Sequence, residues 1–155
     1  MLDRRKQIKK PVELCLALLK DFLEISKIEQ QLNLSRTHYQ QYLCFVKYKY
    51  FYIWKLIYNN QIIGFIYLQG DKSESEILSL GIKKDFQRLG FGKFLICFLI
   101  KKGFKNIFLE VSKRNISAIK FYQSQGFKKI SIRKNYYKTN NNQRVDAFVM
   151  NLTIF

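Results

Sequence analysis

Between Pro11 and Gln31 apolar side chains return every three or four positions, at Leu14, Ala17, Leu18, Phe22 and Ile25. That is the period of one helix face, and Pro11, with no N–H to satisfy, suits a helix start, so the pattern predicts a first helix over about 11–31. Ser35 stands as the cap of a short second helix reaching Tyr42. Past Lys47 the period changes. Lys47 to Gln69 is aromatic and β-branched and is broken by Asn59-Asn60, a pair suited to a tight turn, which predicts a hairpin. Ser75 to Ile82 is expected as a third strand of the same meander.

Glycines and polar clusters punctuate the second half. The run Phe94 to Ile100 is apolar and closes on Lys101-Lys102-Gly103, two cations and a glycine that suit a helix C-terminus. Asn106 to Val111 reads as a short strand. Asn115 or Ser117 starts a further helix that Gly126 ends. Phe127 to Tyr137 and Gln143 to Ile154 are two more strands around the polar turn Lys138-Thr139-Asn140-Asn141-Asn142. Strands joined through helices predict an α/β architecture, α+β in some schemes: a mixed central sheet of about six to seven strands with flanking helices. Residues 1–155 are expected to form a single domain.

Composition narrows the classes. A hydrophobic content of 48% with 16% aromatics supports a packed core and argues against disorder. Cys15, Cys44 and Cys97 are far apart, with no C-x-x-C pair, and read as reduced, buried thiols of a cytoplasmic protein. No apolar run approaches the ~18 residues of a membrane span, and Lys9-Lys10-Pro11 after Arg4-Arg5-Lys6, in place of an apolar core, leads us to expect no signal peptide. The formal charge of +17, from 28 Lys+Arg against 11 Asp+Glu, would attract a polyanion. The lysines are nevertheless scattered in ones and twos among abundant Ile, Asn, Phe and Tyr, the bias of an AT-rich genome. A solvated surface therefore stands ahead of a dedicated RNA face.

Candidate chemistry centres on Gln87-Arg88-Leu89-Gly90-Phe91-Gly92, set between the strand Ile77 to Ile82 and the apolar helix. Such a junction is either an ordinary tight turn or an anion cradle, since the first N–H groups of a helix lack intrahelical partners and its dipole is positive there. The spacing is Q-x-x-G-x-G, which is neither a P-loop nor the dinucleotide fingerprint. Glu110 interrupts the apolar strand Ile107 to Val111, as a surface residue or as a carboxylate held in a cleft. Tyr122, beside Phe121, is either core or turned elsewhere, because adjacent residues do not share a helix face. Asn115 suits a helix cap. No His, Cys and Asp cluster has metal-ligand spacing, so no metal is expected.

The order of Gln87 to Gly92, Leu109-Glu110-Val111, Asn115, Ala118 to Tyr122 and Gly126-Phe127 resembles the GNAT family of N-acetyltransferases. With Asn135-Tyr136-Tyr137 and Asp146-Ala147 it is similar, more narrowly, to the RimI-type enzymes that acetylate ribosomal-protein N-termini. The resemblance implies a GNAT fold and acetyl-coenzyme A as co-substrate. It implies that the backbone of Leu80, Gly81 and Ile82 pairs with the pantetheine arm. Arg88, Leu89, Gly90, Phe91, Gly92 and Lys93 would wrap the pyrophosphate, and Asn115 would contact the cofactor. Glu110 takes the place of the general base and Tyr122 that of the acid that protonates the leaving thiolate. Asn135 to Tyr137 and Asp146 would flank the acceptor groove.

The implied reaction is direct transfer, in a ternary complex, to the N-terminal alanine of the eighteenth small-subunit ribosomal protein. The acceptor partner is then a ribosomal-protein N-terminus, with no membrane partner and direct RNA contact not favoured. Lys84, where the family usually has proline, Ser112, where it often has arginine, and Leu32-Asn33-Leu34, where an aromatic-proline-tryptophan element is common, depart from the pattern. Acetylation of lysine side chains or of a small amine is the rival within the enzyme class. A catalytically silent basic RNA- or ribosome-binding module is the rival outside it.

Overall fold

The computed structural model describes residues 11–34, 37–138 and 142–155. Seven strands, β1 (Glu13–Leu16), β2 (Phe51–Tyr58), β3 (Gln61–Gly70), β4 (Glu74–Ile82), β5 (Asn106–Ser112), β6 (Lys128–Lys138) and β7 (Arg144–Thr153), lie in one sheet in the order β1-β2-β3-β4-β5-β7-β6. The helices are α1 (Phe22–Gln31), α2 (Tyr39–Lys47), α3 (Phe91–Lys101) and α4 (Ile116–Ser124). The chain divides into two compact units. One gathers the residues up to Gln69 with Ser79–Leu95, and the other Gly70–Leu78 with Ile96–Phe155.

In the first unit the N-terminal segment departs from the expected helix. Residues 13–16 form β1, antiparallel to β2 from Glu13↔Ile57 to Leu16↔Trp54. Four residues are too few for the two periods to differ decisively, and β2 supplies the backbone partners that decide between them. The Ala17 N–H extends the pairing to the Ile53 carbonyl at 2.7 Å, and Asp21 closes a single tight turn onto Leu18 at 2.9 Å. Helical spacing is realised only from Phe22 onward. The buried Asp21 carboxylate anchors this change of direction, accepting from the Leu18 N–H at 2.7 Å and from Lys55 Nζ at 2.7 Å.

α2 begins at Tyr39 and runs to Lys47, later than expected; Ser35 lies outside the described residues. Its cap position is held by the exposed His38, whose N–H donates to Gln41 Oε1 at 3.2 Å. The buried Glu29 of α1 ties the approach to α2, accepting from the Thr37 N–H at 3.0 Å and the Thr37 hydroxyl at 2.8 Å. The expected hairpin is present: Tyr58 pairs with Gln61 across Asn59 (φ 50°) and Asn60 (φ 59°). Two left-handed residues in succession make the turn whose twist matches the strands, and asparagine tolerates that conformation. Around Ile25, Ile28, Tyr42, Ile53, Phe65 and Tyr67 these elements build one core.

In the second unit β5 is the axis. It pairs in parallel with the start of β4, from Glu74↔Asn106 to Ile77↔Leu109, and antiparallel with β7, from Asn106↔Thr153 to Ser112↔Ala147. Ile107, Leu109 and Val111 are buried, whereas Asn106, Phe108, Glu110 and Ser112 share a half-buried face. Each buried side chain of this size contributes roughly 1.5–3 kcal/mol. Ile119 of α4 is buried in the same unit, as are Phe127, Met150 and Leu152. β6 is the edge strand. All its residues except Tyr137 are exposed, and its pairing with β7 slips between Lys129 and Ser131 and again between Arg133 and Tyr137.

The cysteines also differ from expectation, since Cys15 and Cys44 are exposed and Cys97 is half-buried; all three are free. A β1 placed at the sheet edge and the outer face of α2 turn the first two outward, positions that a helical reading of residues 11–31 could not assign. Among the described residues no helix is long and apolar enough to cross a membrane.

Candidate active site

The glycine turn is built within the first unit. After β4 ends at Ile82, residues Lys84–Phe86 make one tight helical turn, and Phe86 packs between Tyr58 (6.0 Å) and Phe91 (6.3 Å), the first residue of α3. Gln87 folds back so that its side-chain amide donates to the Ile82 carbonyl at 2.9 Å. Of the Leu80–Ile82 backbone groups expected to meet a cofactor arm, this acceptor is therefore already engaged. Gly81 also has a packing reason to lack a side chain, because a Cβ there would stand 2.7 Å from the Phe65 ring and 3.0 Å from Leu32.

Arg88 (φ 63°) and Gly90 (φ 95°) both adopt left-handed backbone, which reverses the chain into α3. A Cβ on Gly90 would meet nothing within 4 Å, so this glycine serves the turn's conformation and leaves open space above it. The first helical bond runs from the Phe94 N–H to the Gly90 carbonyl at 2.9 Å. The N–H groups of Phe91, Gly92 and Lys93 thus precede the intrahelical ladder and sit at the positive end of the dipole. With the exposed Arg88 and Lys93 they form a donor set that fits a phosphate.

The carboxylate is built within the second unit. Glu110 lies one residue beyond the last β4–β5 pair, and its side chain is 9% exposed. Arg133 reaches across β7 from the edge strand and sets Nε 2.7 Å from Glu110 Oε1. The Tyr136 hydroxyl hydrogen-bonds the same carboxylate, and that bond, followed by desolvation and the Glu110 charge, raises the Tyr136 phenol above its ordinary value. Tyr137 donates its hydroxyl to the Glu110 main-chain carbonyl at 3.2 Å. Glu76 of β4 lies near enough that burial first, and the Glu110 charge second, raise its carboxyl above the usual range, with Arg133 opposing.

The bulge in β6 brings both tyrosines to one glutamate. In regular strand, neighbours point to opposite faces. Here Asn135 takes φ 55° inside the register slip, and its N–H donates to Asp146 Oδ1 at 3.0 Å. Lys113 Nζ meets Asp146 Oδ2 at 3.3 Å. These contacts, Asn135 first and Lys113 second, hold the Asp146 carboxyl below its ordinary value. Asp146 is thus the clamp of the bulge.

Asn115 caps α4, its Oδ1 accepting from the Ala118 N–H at 3.1 Å. Tyr122 and Phe121 are both half-buried; the Tyr122 ring stands 5.1 Å from Phe121 and 5.4 Å, edge-on, from Phe127. Desolvation, then the Tyr137 charge, drives the Tyr122 phenol well above its ordinary value, so it stays protonated at any working pH.

The structure therefore brings Glu110 together with Tyr136 and Tyr137, sets Asn115 at the cap of α4 and Tyr122 within it in the same unit, and sets Leu80 to Lys93 in the other, from the end of β4 through the turn to the start of α3. Glu76 and Arg133 are additions to the expected set. Their signal is strand register: Glu76 sits opposite Phe108, which shares a face with Glu110, and Arg133 sits opposite Ala147, two residues from the partner of Glu110. A cavity of about 420 Å³ in the first unit, lined by Lys20, Asp21, Lys55 and Lys83 among others, contains none of the expected site residues. Among the described residues no group of three or more His, Cys, Asp or Glu could hold a metal ion.

Known proteins resemble this chain in sequence and in fold. The family model described as "Acetyltransferase (GNAT) family" matches residues 16–127. A [ribosomal protein bS18]-alanine N-acetyltransferase of Haemophilus influenzae is 42% identical over 100 residues, 62% of this chain and 68% of that protein. The crystal structure of the ribosomal-protein-S18-alanine N-acetyltransferase from Escherichia coli superposes with a TM-score of 0.81 at 28% identity, covering 93% of this chain and 94% of that one. Arabidopsis thaliana NAA60 in complex with acetyl-CoA shares the fold at 17% identity, with a TM-score of 0.81 over 93% of this chain and 99% of that one.

Proposed function

Because this chain belongs to the GNAT family of acetyltransferases, we propose that it transfers acetyl from acetyl-coenzyme A to the N-terminal alanine of ribosomal protein bS18, the acceptor named for its relatives. The observation that carries this reading is the Glu110 carboxylate, 9% exposed and hydrogen-bonded in place on the strand where the resemblance puts a general base. A cytoplasmic setting follows from a ribosomal acceptor.

The donor set at Phe91, Gly92 and Lys93, with Arg88 alongside, holds the pyrophosphate through backbone N–H groups and charge. When bound, the cofactor supplies an acetyl thioester. Leu80 and Gly81 offer main-chain groups to its arm, and Asn115 keeps α4 capped while presenting its amide. Glu110 takes a proton from the acceptor ammonium, directly or through one water, as the amine nitrogen attacks. An α-amine titrates near 7.7–8.0, so at neutral pH part of the acceptor is already neutral and the base has only a modest task. Tyr122 donates its phenolic proton to the departing thiolate. Glu110 and Glu76, on one face of β5 and β4, give a strongly basic protein an acidic spot at which an ammonium is welcome.

The test is acetylation of a peptide with the bS18 N-terminus by the purified protein, with the modified nitrogen located by mass spectrometry. Acetyl on the terminal amine supports the reading. Acetyl found only on lysine ε-amines, or salt-dependent RNA binding with no affinity for acetyl-coenzyme A, overturns it.

A further inference from the structure

Two charged side chains beside Glu110 have no task in the reaction as derived so far. Arg133 spends its charge on a nearly buried carboxylate although its own side chain is 58% exposed and free to be hydrated. β6 and β5 are not neighbours in the sheet, so the contact spans β7, about two strand spacings of ~4.8 Å. The guanidinium lies 5.4 Å from the Tyr136 ring centre, which braces the long side chain on its way. On the other flank, β4 sets Glu76 opposite Phe108, on the face that Phe108 shares with Glu110. Arg133 thus contacts one carboxylate, Glu110, and acts on the other, Glu76, through charge alone.

Resting on the acetyltransferase reading, we propose that Arg133 and Glu76 are positioning residues that set the charge of Glu110 from opposite sides. Arg133 sets a positive charge 2.7 Å from the carboxylate and fixes the direction of one oxygen. Glu76 adds a second negative charge that one guanidinium cannot fully offset, which readies the pair to accept one proton. In the transfer step an N–H bond of the acceptor ammonium breaks and an O–H bond on the Glu110 carboxyl forms, with the nitrogen keeping the electron pair that attacks the thioester. Without Arg133 the pair would protonate at a higher pH, and the fraction already protonated could not take the amine's proton. Without Glu76, Glu110 would hold the amine's proton less readily.

Among the described residues the groups that face the pair are few. β4 contributes Glu76, and β6 contributes Arg133, Tyr136 and Tyr137. The residue of β7 opposite Glu110 is the uncharged Val149. The next charges along β5 and β7, Lys113 and Asp146, are paired with each other.

The experiment is a carboxyl-carbon NMR titration of the full chain labelled at glutamate, free of ligand, for the wild type, Arg133→Gln, Arg133→Lys and Glu110→Gln, beside pH profiles of kcat/KM. Arg133→Gln is expected to move the titration of the Glu76–Glu110 pair upward by about one pH unit, because an opposite charge at contact distance favours the ionised form. Arg133→Lys is expected to restore most of it, and Glu110→Gln to lower the Glu76 titration. The acidic limb of kcat/KM should move up with the titration in Arg133→Gln and return in Arg133→Lys, where a purely structural role would leave its position unchanged. An Arg133→Gln titration that overlays the wild type, or a shifted titration with an unmoved acidic limb, overturns the proposal. A wild type that binds acetyl-coenzyme A and acetylates no N-terminal peptide at any pH overturns the acetyltransferase reading instead, and the titration still decides whether the charges are coupled.

Discussion

The Tyr137 hydroxyl donates to the main-chain carbonyl of Glu110 at 3.2 Å, joining an edge strand to a strand that is not its neighbour in the sheet. The bond spans β7 and couples the β6 bulge to the segment that carries the carboxylate. Desolvation, then the Tyr136, Glu110 and Glu76 charges, push the Tyr137 phenol up to about 12. The protonated phenol is the form the fold favours. Its contribution to stability is complete below the ordinary phenol value near 10 and is lost as pH rises toward 12. Thermal melts should therefore show Tm falling across that window in the wild type and falling less in Tyr137→Phe.

Glu110→Gln keeps the shape of the side chain and removes the base. A fall in kcat/KM of about 10²–10⁴-fold is expected, the usual worth of a positioned proton acceptor. Acetyl-coenzyme A binding by calorimetry should stay near wild type, because the phosphate donors belong to the turn at Arg88 to Lys93. Lost cofactor binding would mean that Glu110 supports the fold and not the chemistry.

Tyr122→Phe removes one oxygen from a ring that keeps its contacts with Phe121 and Phe127. kcat should drop by about 10²-fold if the phenol supplies the proton. An unchanged Tm beside the lower kcat separates the acid role from a packing role.

Two glycines of the first unit should respond to the same change for different reasons. Gly90→Ala meets open space but must hold φ 95°, which costs about 1–2 kcal/mol. Its larger effect should be on acetyl-coenzyme A affinity, through the re-aimed N–H groups of α3. Gly81→Ala drives a Cβ to 2.7 Å from the Phe65 ring, an overpacking that costs about 1–3 kcal/mol or more. Paired denaturation and calorimetry experiments check both.

Lys55→Met leaves the Asp21 carboxylate, whose side chain is 9% exposed, with the Leu18 N–H as its one remaining donor among the described residues. Leaving a buried charge unpaired costs about 3–5 kcal/mol, so urea unfolding should show a large loss. The double variant Lys55→Met/Asp21→Leu should recover much of it.

The sequence made the turn chemistry legible and the register illegible. Asn59-Asn60 and Gly90 announce left-handed backbone by residue type, and both turns occur where expected. Asn115 announces a cap by its place before an apolar run. The strand at Glu13–Leu16 was hidden because its pattern is too short to choose a period, and the choice is made by β2, about 40 residues away in the chain. Glu76 and Arg133 were hidden for a related reason. Nothing in their neighbours marks them, and they meet Glu110 only once the pairing of β4, β5, β7 and β6 sets which residues share a face. The expectation of buried cysteines failed because a residue's average burial says little about one that falls on an edge strand or an outer helix face.

The two ends of the sheet bear on how the protein survives crowding. β1 is four residues long, too brief to serve as a template for a foreign strand. β6 is 11 residues long and exposed, and it carries Lys128, Lys129, Arg133, Lys134 and Lys138 along its length. A second copy docking there would bring like charges together at strand spacing, so repulsion blocks edge-to-edge growth. Charge that first suggests a nucleic-acid surface therefore guards colloidal stability, and salt weakens the guard beyond about 8 Å at physiological ionic strength. Light scattering that rises with added salt, and earlier in a variant with β6 lysines replaced by threonine, would register it.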